Sequence, residues 1–317
     1  MEEKQVNKWL RHKFSVVGWA LAAYNVLLNI LVMGTMVADG VGQYLKGFAS
    51  GDLSPEMDMD ALMNNAGGYI LAILIGLVIL WAWKGGDFWH EILHREAPMK
   101  ASAFFAMLTL IAGAQLVSSI WLGTLEAVMN QFGKSILTML DAVSGDSSTV
   151  SMFLYSAFFA PVSEEILFRG FVLRSLRPYG KRFAILGSAF LFAMFHGNLI
   201  QAPYAFAAGL VLGYCAVEYS IVWSTLLHVF NNFILADLLT RLMGLLPAAA
   251  AEMINGLVFL GFALGAVGIL IVKCREIQAY CRREWMDRRC LKCFFSSAGV
   301  LVLTIAMALS MLSLLVM

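Results

Sequence analysis

Charged residues are scarce in this chain. Only 14% of its 317 residues are Asp, Glu, Lys or Arg, whereas 60% are hydrophobic. An average soluble domain carries roughly 25% charged residues. The shortage excludes a soluble globule, because most of so apolar a surface must face hydrocarbon. The composition predicts a single integral membrane unit.

The chain also lacks an excess of charge of either sign. Its 22 Lys and Arg residues against 21 Asp and Glu residues give a net charge of +1. Binding to nucleic acid requires a basic field, so we expect no nucleic-acid partner. A cleavable signal peptide is not indicated either, since the charged start runs into an apolar stretch that is too long and has no clear cleavage site. We interpret this start as a retained first membrane span.

What the chain has instead is a series of long windows without charge. They cover residues 14–38, 67–83, 101–125, 147–163, 183–217, 219–236, 253–272 and 294–317. A membrane-spanning helix requires about 20 apolar residues. The window 183–217 holds two short spans, because the turn-rich stretch 196–203 interrupts it. This pattern predicts an all-α, polytopic helical membrane protein with about nine transmembrane helices.

The connections between these windows alternate in charge. The N-terminus and the connections 84–100, 174–182 and 273–292 are basic, whereas 39–66 and 123–148 are acidic or neutral. Lys and Arg collect in cytoplasmic loops. The alternation therefore predicts a multi-pass protein in the lipid bilayer with a cytoplasmic N-terminus and an external C-terminus.

Two adjacent glutamates lie at the inner end of the fourth span. Charged groups inside a membrane cost about 2.5–3.5 kcal/mol each on insertion scales, so each one requires a reason. Glu165 and Arg169 are four residues apart, share one helix face and can neutralise each other. Glu164 points about 100° away around the helix and has no basic neighbour at that spacing. An unpaired carboxylate of this kind can act as a general base. In the alternative interpretation, both carboxylates simply mark the exit of the helix at the interface.

Two histidines lie within apolar windows further along the chain. His196 follows Phe192 by four residues, and His228 precedes Asn232 by four. A histidine and an asparagine on one helix face can aim two hydrogen-bond donors at one point, as an oxyanion site requires. A single intramembrane histidine is as often a packed side chain as a functional one. The combination with Glu164 on three separate spans indicates a buried hydrolytic site.

These residues resemble the three motifs of a known family, the CPBP intramembrane proteases. The family includes the type II CAAX prenyl endopeptidases and bacteriocin-processing enzymes. The matching motifs are, in chain order, Glu164-Glu165-x-x-x-Arg169, Phe192-x-x-x-His196 and His228-x-x-x-Asn232, with Pro161 and Phe168-Arg169-Gly170 around the first. The resemblance covers roughly residues 100–240. It divides the chain into an N-terminal cytoplasmic segment with two spans (1–100), a protease-like core with spans four to seven (101–240) and two C-terminal spans (241–317).

The resemblance implies hydrolysis of a peptide bond within the membrane. Glu164 would activate a water with help from His196, His228 and Asn232 would stabilise the oxyanion, and Glu165 and Arg169 would form a supporting pair. The substrate would be a peptide or protein at the membrane, such as a prenylated protein or a leader peptide. The resemblance does not determine the cofactor. The same hydrolysis can proceed without a metal or with one Zn²⁺ held by Glu164, His196 and His228. From the loop charges we expect the cavity to open to the cytoplasm between spans four, five and seven.

Two other classes of protein remain alternatives. A transporter would show repeated halves with charge pairs in both, whereas the polar groups here cluster in spans four to seven. A non-proteolytic membrane scaffold of the same family would lack a catalytic residue, and the motif residues are all present.

Two further patterns receive structural interpretations. His90-Glu91-Ile92-Leu93-His94 has the spacing of a zinc protease motif, but it lies in a charged connection closed by Pro98, and we interpret it as an interfacial helix. The basic connection also contains Cys274, Cys281, Cys290 and Cys293. Their spacing lacks paired zinc knuckles, and on a reducing side of the membrane we interpret them as free thiols.

Overall fold

The computed structural model describes residues 3–52, 54, 56–94, 96–136, 149–284 and 286–313. Within these ranges the secondary structure is helical and contains no strand. The all-α, polytopic architecture predicted from the sequence is therefore confirmed. The part of the predicted acidic connection from residue 137 to 148, with Asp141 and Asp146, lies outside the described residues.

The helices follow the charge-free windows. In chain order they are α1 (Glu3–Ala49), α2 (Met59–Met63), α3 (Gly67–Lys84), α4 (Gly86–Ile92), α5 (Ala101–Gly113), α6 (Gln115–Asn130), α7 (Val150–Tyr179), α8 (Lys181–Phe195), α9 (Ala202–Glu218), α10 (Ile221–Met243), α11 (Ala248–Arg283), α12 (Arg288–Phe295) and α13 (Ala298–Ser313). The predicted break inside the window 183–217 is the connection between α8 and α9. Gly197 has a φ of +59° there, a conformation that favours glycine and lets the chain reverse direction.

Fewer helices are long and apolar enough to span a membrane than the nine that the sequence predicts. Six helical segments among the described residues are long and apolar enough to cross a bilayer, and the bent pair α12 and α13 raises the number to seven. The remaining segments of the predicted nine are α8 and α9, which have only 15 and 17 residues. The count of nine is therefore not confirmed.

The basic connections come together at one end of the bundle, which we call the basic end. The segment 174–182 contacts 84–100 through Arg177 Nη1 and Glu96 Oε1 at 2.7 Å, and it contacts α11 through Arg182 Nη1 and the Cys281 carbonyl at 3.1 Å. The residues after α11 contact the N-terminus through Arg289 Nη2 and Glu3 Oε1 at 3.7 Å. The side of the membrane that this end faces stays a prediction.

Side chains that bond to backbone carbonyls set the packing of α7 to α10. Polar groups in a membrane interior associate helices in this way, because lipid offers them no partner. The bonds are Ser188 Oγ to the Phe168 carbonyl at 2.9 Å, Arg169 Nη2 to the Gly209 carbonyl at 3.3 Å and Ser224 Oγ to the Leu212 carbonyl at 3.0 Å. They connect α7 to α8, α7 to α9 and α10 to α9.

The two ends of the chain pack against each other and against this core. A Cβ on Gly18 of α1 would lie 2.1 Å from the backbone of Gly299 of α13, so only glycine permits the two helices to cross so closely. Phe14 of α1 contacts Phe183 of α8 and Phe294 of α12 with ring centroids 5.4 and 5.8 Å apart. The domain boundaries at residues 100 and 240 remain predictions.

Candidate active site

The two glutamates lie on a short α-helical stretch of α7 between two π-helical stretches. The π stretches are Tyr155–Phe159 and Ile166–Leu173, and Pro161 is the second residue of the α-helical stretch between them. Pro161 has no backbone N–H to donate, and just before it the Ala160 N–H donates to the carbonyl of Tyr155, five residues back. The wider π turn accommodates the proline, and such turns often mark functional sites.

Glu165 forms a fully buried polar cluster. Its Oε1 lies 3.0 Å from Arg169 Nη1 and accepts a hydrogen bond of 3.0 Å from Nδ1 of His228. Its Oε2 lies 2.5 Å from the Ser224 hydroxyl, whose single proton is shared between this carboxylate and the Leu212 carbonyl. The Arg169 guanidinium also lies over the ring of Phe192, 4.4 Å from its centroid. The neighbours of Glu165 thus satisfy and neutralise its charge.

Glu164 faces the other way. Its side chain is 28% exposed, and its Oε2 lies 3.7 Å from Nε2 of His228. That distance is too long for a direct hydrogen bond. Glu164 is therefore a carboxylate beside open space, whereas Glu165 is enclosed by its partners.

Hydrogen bonds determine which nitrogen each histidine presents to this space. His196 Nδ1 lies 2.8 Å from the Phe192 carbonyl, which can only accept, so Nδ1 donates and Nε2 is left as an acceptor in the neutral form. His228 Nδ1 likewise donates to Glu165. His228 therefore presents Nε2, which accepts when the ring is neutral and donates only when the ring is doubly protonated.

A chain of hydrogen bonds fixes the Asn232 amide. The Tyr204 hydroxyl donates to Asn231 Oδ1 at 3.0 Å, and Asn231 Nδ2 donates to Asn232 Oδ1 at 3.0 Å. Asn232 Nδ2 then donates to the Ser156 carbonyl at 3.1 Å. An amide nitrogen has two donors, so one N–H of Asn232 remains for a ligand.

A cavity of about 320 Å³ brings these groups together. Glu164 of α7, His196 at the end of α8, and His228 and Asn232 of α10 all line it. The structure therefore assembles the four residues that the sequence singled out. Sequence reasoning missed the roles of Tyr204, Ser156 and Ser224. Nothing in their spacing points to the site, since each acts through a neighbour on another helix.

The residues present do not form a three-ligand metal site in this geometry. Among the described residues, no three His, Cys, Asp or Glu side chains converge closely enough to hold an ion. The Nδ1 bonds of His228 and His196 leave both Nε2 atoms toward the cavity, but no third described side chain stands near enough to complete the set. We therefore derive no step through a metal ion.

A second, wider cavity of about 820 Å³ adjoins the first. It shares Ser156, Gln201, Tyr204, Asn231 and Asn232 with it and extends along the last turns of α10. The cavity thus lies away from the basic end, where α10 begins. This differs from the expected opening on the side of the basic connections. The reason is that His196 follows the last turn of α8, about 22 Å of helix rise from its basic start.

The remaining sequence patterns lie outside the site. Helix α4 ends at Ile92, so His94 is not on the helix that carries His90. Glu91 of that motif pairs with Arg174 at 3.1 Å, which fits the interfacial interpretation. Cys274, Cys281, Cys290 and Cys293 are free thiols.

Comparison with known proteins supports the resemblance. Residues 146–234 match the family model described as type II CAAX prenyl endopeptidase Rce1-like. The matched stretch contains all three motifs, and it supports the predicted CPBP assignment and an intramembrane CAAX-type protease at the level of the family. No curated protein and no solved structure matches the chain.

Proposed function

We propose that the protein is an intramembrane endopeptidase that hydrolyses a peptide bond with a water activated by Glu164. The observation that carries the proposal is the cavity in which Glu164, His196, His228 and Asn232 meet, although they belong to three helices. A general base must stand within reach of water and substrate. Of the two glutamates, only Glu164 lines that cavity.

Water activation uses Glu164 and His196. The Glu164 carboxylate accepts a proton from the water, while Nε2 of His196, an acceptor in its neutral form, holds the second water hydrogen. The water oxygen then attacks the carbonyl carbon of the substrate. Glu164 then returns the proton to the leaving amide nitrogen, and the oxyanion collapses to a carbonyl as the carbon–nitrogen bond breaks. The products are a carboxylic acid and an amine, and Glu164 is again a carboxylate.

Oxyanion stabilisation falls to Asn232 and His228. The free N–H of Asn232 Nδ2 is held in place by its bonds to Asn231 and Ser156. His228 donates from Nε2 in its doubly protonated form, with Glu165 accepting at Nδ1. Donors fixed before the reaction stabilise developing charge without reorganisation, and the loss of one typically costs about 100- to 1000-fold in kcat.

Glu165 and Arg169 support the site from behind. Glu165 orients His228, and Arg169 balances the charge of Glu165 at 3.0 Å. Both side chains are fully buried, and neither lines the cavity. Their contribution is to position His228.

The substrate class follows from the position of the cavity. It lies inside the helix bundle and not on an exposed loop, so the scissile bond belongs to a peptide or protein that is already at the membrane. A prenylated protein and a leader peptide both satisfy this condition.

The test compares membrane proteomes. Cells that express the wild type, Glu164→Gln or Glu252→Gln are compared by mass spectrometry for new peptide termini in membrane proteins. Glu252 is an exposed glutamate on α11 and provides a matched control. We expect new termini with the wild type and with Glu252→Gln, and none with Glu164→Gln. The same termini with Glu164→Gln would refute the proposed base, and no termini in any sample would favour a transporter or a scaffold.

A further inference from the structure

A buried carboxylate lies in the second cavity, close to the proposed oxyanion site. Asp237 is on α10, five residues after Asn232, and is only 7% exposed. Among the described residues, it forms no ion pair. Its Oδ2 accepts a hydrogen bond of 3.1 Å from the Ser156 hydroxyl. An ionisable group kept inside a membrane bundle is expensive and usually functional.

A π-helical stretch turns Asp237 toward the site. On a straight α-helix five residues rotate a side chain by about 140° away from its starting face. The stretch Asn231–Leu238 is π-helical, with more residues in each turn. Ser156 contacts both side chains, since its carbonyl accepts from Asn232 and its hydroxyl donates to Asp237. Asn232 and Asp237 therefore share one face.

The shared contact with Ser156 limits the distance between the two side chains. Both bond to atoms of one residue at 3.1 Å, which places the Asp237 carboxylate roughly 10 Å or less from the Asn232 amide. An extended peptide covers that distance in about three residues. If the scissile carbonyl of a substrate lies at Asn232, a substrate side chain about three residues away along the peptide therefore lies near Asp237.

The lining of the second cavity suits a polar peptide segment. Besides Asp237 it offers amide and hydroxyl groups from Gln115, Ser118, Asn198 and Thr240. Such groups bond to peptide backbone and side chains without requiring charge. The cation of this cavity, Arg241, is exposed, and its guanidinium lies 5.0 Å from the centroid of the Phe153 ring. Asp237 is therefore the buried acidic residue among the side chains that line this cavity.

We propose that Asp237 determines specificity by selecting substrates with Lys or Arg within about three residues of the scissile bond. The inference rests on the proposed function and adds the chemical class of one substrate side chain. A basic side chain from the substrate would give Asp237 the cationic partner that no described residue supplies. In a partly dehydrated cleft such a pair discriminates more strongly than on a surface.

The experiment uses the full-length protein in detergent with a synthetic peptide library randomised on both sides of the cleaved bond. Cleaved products are sequenced, and pairs of peptides that differ only by Lys or Gln at the preferred position then give a ratio of kcat/KM. We expect at least about a tenfold preference for Lys in the wild type. In Asp237→Asn the ratio falls toward one, Asp237→Glu retains part of it, and Asp237→Lys reverses it toward Glu.

A structural role for Asp237 predicts a different result. If the carboxylate serves only to hold Ser156, both Asp237→Asn and Ser156→Ala lower kcat for Lys and Gln peptides equally, and the ratio does not move. That result would overturn the inference. So would cleavage of the library by the wild type without enrichment of basic residues, and this measurement does not depend on the folding of any variant. Absence of cleavage by the wild type would refute the proposed function, and the inference with it. Cleavage without charge preference would refute the inference alone.

Discussion

His228 and Glu165 are joined by a hydrogen bond of 3.0 Å from Nδ1 to Oε1, and this contact decides which nitrogen of His228 faces the cavity. The adjacent carboxylate, Glu164, lies at the other ring nitrogen, 3.7 Å away. The two ring nitrogens of His228 thus face two adjacent glutamates, of which Glu165 is enclosed and Glu164 is partly exposed.

Glu164→Gln should abolish turnover and leave the fold intact. The side chain is 28% exposed, and no buried partner loses its charge balance when the carboxylate becomes an amide. Loss of a general base costs about 100- to 10,000-fold in rate, while we expect the Tm to change by no more than about 2 °C, as a surface substitution would. Peptide hydrolysis and thermal unfolding of the purified variant measure the two effects. A fall of Tm by ten degrees or more would show that Glu164 is structural.

Removal of either member of the Glu165–Arg169 pair should destabilise the protein. Both side chains are 0% exposed at a separation of 3.0 Å, so Glu165→Gln or Arg169→Met leaves a buried charge uncompensated. Such a loss costs about 3–5 kcal/mol, and activity should fall with stability because His228 loses its orientation. Unfolding by denaturant in detergent measures the change.

The exposed pair Lys273 and Glu276 provides the control for that measurement. Its charged atoms are 2.8 Å apart, but both side chains are more than half exposed. Lys273→Met should therefore cost less than about 1 kcal/mol. Equal losses from the buried and the exposed pair would contradict the proposed role of burial. The double variant Glu165→Gln with Arg169→Met should lose less stability than the sum of the single variants.

Chelation should leave activity unchanged, whereas His196→Ala should destroy it. No three potential ligands converge among the described residues, and Nε2 of His196 acts in the proposal as a hydrogen-bond acceptor for water. Prolonged dialysis against a chelator, followed by metal analysis and a peptide assay, tests the first part. Stoichiometric zinc in active protein, lost together with activity on chelation, would contradict the metal-free mechanism.

Tyr204→Phe should lower kcat more than it raises KM. The hydroxyl begins the chain of bonds through Asn231 that orients the Asn232 amide, and its loss loosens a donor to the transition state without removing a contact to the ground state. We expect a decrease of about tenfold in kcat. Asn231→Ala should have a similar effect, and the two changes together should not multiply, because they interrupt the same chain. Multiplicative effects would show that Tyr204 acts separately.

Thiol labelling should place the mouth of the second cavity on the side of Asp52 and opposite to the basic end. Arg177 and Lys181 are at the basic end, whereas Thr240 lines the second cavity. The native Cys274 and Cys281 are not buried, so both are first replaced by Ser. Impermeant reagents should then label Arg177→Cys and Lys181→Cys from one side, and Asp52→Cys and Thr240→Cys from the other. By the loop charges, the first side is the cytoplasm. Labelling of Thr240→Cys from the side of Arg177 would contradict the arrangement.

The sequence by itself determined the helices and the pairing of the first motif. Charge-free windows exist because hydrocarbon cannot solvate charge or open backbone, and the described residues of these windows are mostly helical. The four-residue spacing of Glu165 and Arg169 is local geometry of one helix, so it could be read before any packing was known. The turn at 196–203 carried its own signal in Gly197 and Pro203.

Only the tertiary structure decided how the groups meet. The π-helical stretch Asn231–Leu238 brings Asp237 to the face of Asn232, whereas the spacing on an ordinary α-helix predicts different faces. The proton position on His228 depends on Glu165, an acceptor on another helix, and Tyr204 reaches Asn231 from a different helix. Helix periodicity describes rotation within one segment. Contacts between segments depend on where backbone hydrogen bonds slip by one residue and on which buried polar groups must satisfy one another, and no spacing in the sequence encodes these.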